Sequence, residues 1–168
     1  HLYHELLSYF SEAELPDTPT EIRLHLTDMV WPEIIRLHLH ASNREEAIRM
    51  AYAPMLHQHC VLDKYVDDAA RTESGYMVIA KHIALPHTKP EAGAISCALG
   101  ISVLDEPVRF GNKENDPVKY IFALSAVDNS THLAAMAELI HLFNDQDFFT
   151  LLDTADDPNE VMTYIRSH

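Results

Sequence analysis

Two periodicities alternate along most of the chain. Ile35, Leu37 and Leu39 alternate with Arg36, His38 and His40, which predicts a half-buried strand over Ile35–His40. Ser42 and Glu45 make a capping-box pair, so a helix is expected to start there and run towards Gln58, bent at Pro54. Asp63 predicts the cap of a second helix reaching about Thr72, and Gly75 breaks it. Tyr76–Ala80 and Ile83–Leu85 predict short strands, and the long apolar run Ile95–Leu104, with Gly100 inside, predicts a central one. Asp105-Glu-Pro107 is expected to turn the chain, and Val118–Ala126 to form another buried strand. Asp128-Asn-Ser-Thr131 signals a helix start, followed by Leu133, Met136, Ala137, Ile140 and Phe143 at helical spacing. Asp145 caps a shorter helix, and Asp157, Pro158 and Glu160 open the last one.

Strands interleaved with helices predict an α/β domain, a sheet covered by helices. Leu2, Leu6, Tyr9 and Phe10 suit a helical stripe, and Glu14-Leu-Pro-Asp-Thr-Pro-Thr20 suits a linker, so residues 1–25 are expected to precede a main domain at 26–168. The first residue is His rather than Met, which suggests a piece of something longer.

Composition narrows the function. Twelve Lys and Arg against 26 acidic residues give a charge of −14, which argues against nucleic-acid binding and favours basic protein partners. No apolar run approaches the roughly 18 residues of a membrane helix, and no signal-peptide pattern opens the chain. Two unpaired cysteines, Cys60 and Cys97, suit a reducing cytoplasm.

With 12 histidines, position must sort them. His87 follows Pro86 at the end of an apolar strand, in IALPHTKPEAG, which holds one imidazole at a strand tip. His132 falls in the first turn of the helix announced by Asp128, where unpaired N–H groups favour an anion. The two imidazoles could face each other at one sheet edge. Arg71, ending the helix before the His87 strands, has the planar fork that suits phosphate, or simply complements the helix dipole. His38 and His40 share a strand face and could bind zinc, but lack a Cys or carboxylate neighbour in sequence. His57 and His59 would point about 200° apart on a helix, a poor chelate. Neither a Gly-x-Ser-x-Gly elbow nor a Gly-rich phosphate loop is present.

The runs IALPHTKPEAG, EPVRFG and NDPVKYIFALSAVDNSTHL resemble, in order and spacing over Leu26–Ile165, the mannitol/fructose-type (type 2) enzyme IIA domain of the bacterial phosphotransferase system. GYMVIAKHIALPH looks most like its ascorbate-type branch. That resemblance implies a central mixed β-sheet flanked by helices on both faces. It implies a phosphoryl carrier: His87 accepts the group from the phosphocarrier HPr on Nε2 and passes it to an enzyme IIB domain. His132 matches the family's second active-site histidine, and Arg71 its arginine, sixteen residues before His87. Thr88, His82, Ser130 and Thr131 are the further phosphate-contact candidates. No cofactor or metal is needed, and no nucleic acid or membrane is contacted. Thr88 stands where the family mostly has Ala or Gly, and Lys81-His82 replaces a more usual turn pair. The N-terminal stretch resembles the joint in multidomain antiterminators, so a regulatory IIA domain, phosphorylated on His87 as a signal, is the alternative.

Overall fold

A computed structural model describes residues 24–72 and 77–168. The expected N-terminal helix and linker, and the Gly75 break, lie outside the described residues. Among the described residues six α-helices surround one five-stranded sheet: α1 (Leu26–Met29), β1 (Ile35–Leu39), α2 (Arg44–His57), α3 (Asp63–Arg71), β2 (Val78–Ala80), β3 (Ile83–Ala84), β4 (Ala98–Val108), β5 (Val118–Ser125), α4 (Leu133–Phe143), α5 (Gln146–Thr154) and α6 (Pro158–Ser167). The strand order is β1-β4-β5-β3-β2. Pairs β1/β4 and β3/β5 are parallel, whereas β4/β5 and β2/β3 are antiparallel, so the sheet is mixed.

Both sheet faces are buried, which is why the central strands are almost wholly apolar. On one face Leu99, Ile101, Tyr120, Phe122 and Leu124 pack with α1, α4, α5 and α6. The alternate residues Ala98, Leu104, Ile121 and Ala123 pack with α2 and α3 on the other. Gly100 permits the close seating of α2: a Cβ there would come 2.9 Å from Met55 Sδ. Phe122 meets Phe143 edge-on at 4.9 Å and so ties α4, whose N-cap residue matters below, to the sheet.

Several local expectations shift. Asn43, not Ser42, caps α2 by accepting from Glu46 N–H, while the Glu46 carboxylate accepts from Ser42 N–H, the residue before the cap, so the two bonds do not close a capping box. Asp63 is the first residue of α3 rather than its cap, which is Leu62. Asp145 and Asp157 cap α5 and α6 as expected, the latter with Glu160 in a capping box.

The central strand starts at Ala98 and runs through the expected Asp105–Pro107 turn to Val108. Pairing with β1 stops at Leu104, so Pro107 lies where its missing donor costs no bond to β1. In β1, residues Arg36 and Leu39 pair with Ser102 and Leu104, three steps against two, and the extra residue makes a bulge. His38 takes φ 55° there. Leu39 is thereby turned to the α2/α3 face while Ile35 and Leu37 stay on the other, so the three do not share one side.

Candidate functional site

The short strand β3 owes its position to β5: Ile83 and Ala84 pair with Tyr120 and Ile121. The extended path continues past the last paired residue, because Leu85 N–H donates to Met77 O (2.8 Å) and Leu124 N–H to Pro86 O (3.0 Å). Pro86 has no N–H to offer but keeps its carbonyl. Beneath it stand two buried tyrosines. The Tyr52 hydroxyl lies 2.8 Å from Pro86 O and 2.7 Å from Leu124 O. Tyr65 donates to Leu124 O (2.9 Å) and accepts from Thr88 N–H (3.3 Å). Burial pushes the Tyr65 phenol up to about 12, so it remains a donor at neutral pH. The tip carrying His87 is therefore pinned on both sides by hydrogen bonds to buried groups.

His87 Nδ1 lies 3.1 Å from Leu85 O. A carbonyl only accepts, so Nδ1 bears the proton and Nε2 keeps the lone pair. Burial lowers the His87 pKa below its ordinary value, against the opposing pull of the Leu85 carbonyl. The ring is thus neutral and nucleophilic at pH 7.

His87 opens on a cleft of about 460 Å³, whose wall also includes His132, Thr88, Lys89, Glu91 and Asp128. Asp128 shapes the far side. Its carboxylate accepts from Ser130 N–H (3.0 Å), Thr131 N–H (2.8 Å) and the Thr131 hydroxyl (2.5 Å). Burial pushes Asp128 upward, but the Thr131 and Ser130 hydrogen bonds outweigh it and hold the carboxyl below its ordinary value. This turn absorbs the expected helix signal, so α4 begins only at Leu133 and His132 is its N-cap residue rather than part of its first turn. His132 is 4% exposed. Burial lowers its pKa; Asp128 pulls it up and His87 pushes it down, so the two imidazoles are electrically coupled across one cleft.

The remaining candidates divide. Thr88 lines the cleft, but its hydroxyl donates to the Asp68 carboxylate and retains only acceptor capacity for a ligand. The Ser130 and Thr131 N–H groups are taken by Asp128. Arg71 sits exposed in the last turn of α3, near Asp67, which the Arg49 hydrogen bond above all, with a lesser pull from Arg71, holds below the ordinary carboxylate value; Arg71 is not part of the cleft wall. His82 stands at the other end of β3, with φ 68° and Nδ1 2.7 Å from Pro117 O. It borders a separate groove with Tyr120 and Phe143. Five residue steps of extended chain, roughly 16 Å, part it from His87, which is why it does not reach the cleft.

Sequence reasoning missed Lys89, Glu91 and Asp128 as wall residues, and Tyr52 and Tyr65 as supports. Lys89 and Glu91 could have been found from their nearness to His87. The tyrosines carry no such signal, since both occupy ordinary core positions of two helices. Among the described residues no group of His, Cys, Asp and Glu is placed to hold a metal ion. The expected strand pair His38 and His40 instead meets carboxylates: His38 lies between Asp105 and Asp156, and His40 is 3.8 Å from Glu106.

Residues 29–168 match the family model described as "Phosphoenolpyruvate-dependent sugar phosphotransferase system, EIIA 2". The ascorbate-specific PTS system EIIA component of Shigella boydii serotype 4 is 28% identical over 135 residues, covering 78% of this chain and 88% of that protein. The solution structure of the mannitol-specific cryptic phosphotransferase enzyme IIA CmtB from Escherichia coli superposes with a TM-score of 0.73 at 25% identity, covering 86% of this chain and 100% of that one. The fold also matches enzyme IIA of mannitol in its Escherichia coli complex with phosphorylated enzyme IIB, with a TM-score of 0.71 at 24% identity over 83% and 98% of the two chains.

Proposed function

We propose that this chain, which belongs to the EIIA type 2 family of the phosphoenolpyruvate-dependent sugar phosphotransferase system, carries a phosphoryl group on His87. Members of that family are phosphotransferase components. The donor is phosphorylated HPr, and the acceptor is an enzyme IIB domain. The observation that carries this reading is the tautomer of His87. Its Nδ1 proton is directed to Leu85 O, which puts the nucleophilic lone pair on Nε2, in a ring that shares its cleft with His132.

The chemistry then follows. The Nε2 lone pair attacks phosphorus, the Nε2–P bond forms and the bond to the donor's nitrogen breaks. In the second half, a nucleophile on the IIB domain attacks the same phosphorus and Nε2 leaves with its electron pair. The Leu85 carbonyl steadies the Nδ1–H throughout, and the ring carries positive charge while phosphorylated, which makes it a good leaving group. The cleft's contribution is position and charge complementarity.

The surface around the cleft suits a protein partner. Leu62, Ile95 and Val127 are large apolar side chains left 46%, 48% and 41% exposed. Leu62 N–H bonds to Gly93 O and Ile95 N–H to Cys60 O, which brings Leu62 and Ile95 together at the end of the segment that forms the cleft wall. Val127 lies between the wall residues Ala126 and Asp128. An apolar rim on a chain of charge −14 matches a partner with an apolar centre and a basic border. No described helix is long and apolar enough to cross a membrane.

The test is intact-mass spectrometry at neutral to alkaline pH after incubation with phosphoenolpyruvate, enzyme I and HPr. One acid-labile phosphoryl group on wild type and none on His87→Ala is the expected result. Absence of phosphorylation on both proteins overturns the carrier reading.

A further inference from the structure

We infer that Asp68 is a positioning residue for His87 and acts through Thr88. The inference rests on the carrier reading and names a further residue of that same site. Transfer to Nε2 needs the imidazole held at one angle while a partner's phosphoryl group approaches in line, and a small misplacement of the nucleophile costs rate steeply. The aim of His87 is set by the residues on either side of it. Pro86 is held from β5 and α2: its carbonyl accepts from Leu124 N–H at 3.0 Å and lies 2.8 Å from the Tyr52 hydroxyl. Thr88 is held from α3, by two side chains one helical turn apart. The Tyr65 hydroxyl accepts from Thr88 N–H at 3.3 Å, and the Asp68 carboxylate accepts from the Thr88 hydroxyl. The Tyr65 contact is long, and the same hydroxyl also donates to Leu124 O at 2.9 Å. The Asp68 bond is charge-assisted, a class roughly twice as strong as neutral hydrogen bonds, so it is the main grip on Thr88.

The anchor is firm. Asp68 O accepts from Thr72 N–H at 3.0 Å and from the Thr72 hydroxyl at 2.5 Å. Arg44 of α2 donates to Ala70 O and Thr72 O, each at 3.3 Å. The end of α3, where Arg71 also sits, is thereby tied to α2 and strapped to the residue that follows His87. The competing role for this hydroxyl is a direct contact with the phosphoryl group. A hydroxyl has one proton, and Thr88 gives it to Asp68. The two roles predict opposite signs when Asp68 is removed. A carboxylate that does nothing for the aim of His87 is only one more negative charge near an incoming anion, so its loss would leave transfer unchanged or speed it. Loss of a strap slows it.

The experiment compares wild type, Thr88→Val, Asp68→Ala, the two together, and the conservative Thr88→Ser and Asp68→Asn. Single-turnover transfer from phosphorylated HPr is followed at varied HPr concentration, which separates the saturating rate from the half-saturating concentration, and thermal unfolding reports on the fold. Thr88→Val and Asp68→Ala are each expected to lower the saturating rate by about tenfold and to leave the half-saturating concentration within about twofold of wild type. The double variant should be no slower than the slower single, because both changes cut one bond. Thr88→Ser keeps the hydroxyl and Asp68→Asn keeps an acceptor oxygen, so each should recover most of the rate. Should Asp68→Ala fail to fold, Thr88→Val against Thr88→Ser decides alone. A folded Asp68→Ala as fast as wild type, or faster, overturns the assignment, leaves the carrier reading intact and returns the Thr88 hydroxyl to a direct contact. So does a double variant whose loss is the product of the two singles. A wild type that takes no phosphoryl group overturns both readings.

Discussion

His87 and His38 are the same residue at the ends of two strands, and the sheet makes opposite chemical groups of them. His87 follows β3 and is largely withdrawn from water, with Nδ1 against a neutral carbonyl, Leu85 O, at 3.1 Å. His38 sits in the β1 bulge, half exposed, with Nδ1 3.2 Å from Asp105 and Nε2 2.9 Å from Asp156. Burial lowers the first pKa, while the hydrogen bonds that His38 donates to Asp156 and Asp105 raise the second. One ring is kept neutral with its lone pair on Nε2; the other is favoured as a cation with both nitrogens donating. A strand-tip histidine is therefore not a nucleophile by position. What its nitrogens face decides whether it can attack or only hold things together.

The largest expected break in this contrast comes from below His87. Tyr52→Phe removes a hydroxyl that lies within hydrogen-bond reach of both Pro86 O and Leu124 O, from a side chain that is fully buried. Both carbonyls keep another donor, Leu124 N–H and Tyr65 OH respectively. The cost is expected to be about 1 kcal/mol, or a fall in Tm of about 2–4 °C. Transfer to His87 is expected to slow as its backbone loosens, while the titration of His38 stays where it was. Thermal unfolding and single-turnover transfer check this together. A variant as stable and as fast as wild type would mean that the strand pairing alone holds the tip.

A smaller effect, of opposite sign at the two rings, is expected with pH. In a histidine-resolved NMR titration, His87 and His132 should titrate below about 6.5 and His38 above it. For His87 the unfolded chain binds the proton more readily. Its contribution to stability is therefore intact above about pH 6.5 and lost as pH falls through 6.5 towards its folded pKa. For His38 the folded chain binds the proton more readily, so its contribution is present below about 6.5 and lost as pH rises through the folded pKa. Phosphoryl acceptance should follow His87 alone, with its rate midpoint on the acid side of 6.5. A shared midpoint for the two rings would erase the contrast.

How much of this was legible in the chain follows the same division. The α/β architecture could be read because central strands buried on both faces are apolar runs, and because Asp145 and Asp157 announce their helices in the way their side chains then bond. His87 stood out as a candidate because a proline precedes an imidazole at a strand tip, where an exposed loop histidine was the competing reading, and the fold sets it in the cleft with His132. The bulge at His38 could not, since a left-handed backbone at a non-glycine residue leaves no mark in an alternating pattern. The strand through Pro107 was hidden for a related reason: that proline is tolerated only because β1 ends early, a fact of tertiary pairing. Arg71 and Lys89 show what spacing leaves out: Arg71 is not in the cleft wall, whereas Lys89, two residues from His87, is part of it.

The smallest expected effect tests the His38 half of the contrast. Asp156 lies in the turn between α5 and α6, and its carboxylate meets His38 Nε2 at 2.9 Å, beside Ala155 O at 3.1 Å. Asp156→Asn keeps the shape and removes the charge. The Ala155 carbonyl still accepts from Nε2, and Asp105 still faces Nδ1, so the bulge should persist. What changes is the preference for the charged ring: the His38 midpoint should move down towards 6.5, because the first of the two carboxylate hydrogen bonds that raise it is gone. Asp156 is a surface residue, so the accompanying loss of stability should be small. The midpoints of His87 and His132 should not move, since Asp156 takes no part in their cleft. A His38 midpoint that stays put in this variant would assign the raised pKa to Asp105 across the β1/β4 pair, and make the bulge a matter of two strands rather than of three elements.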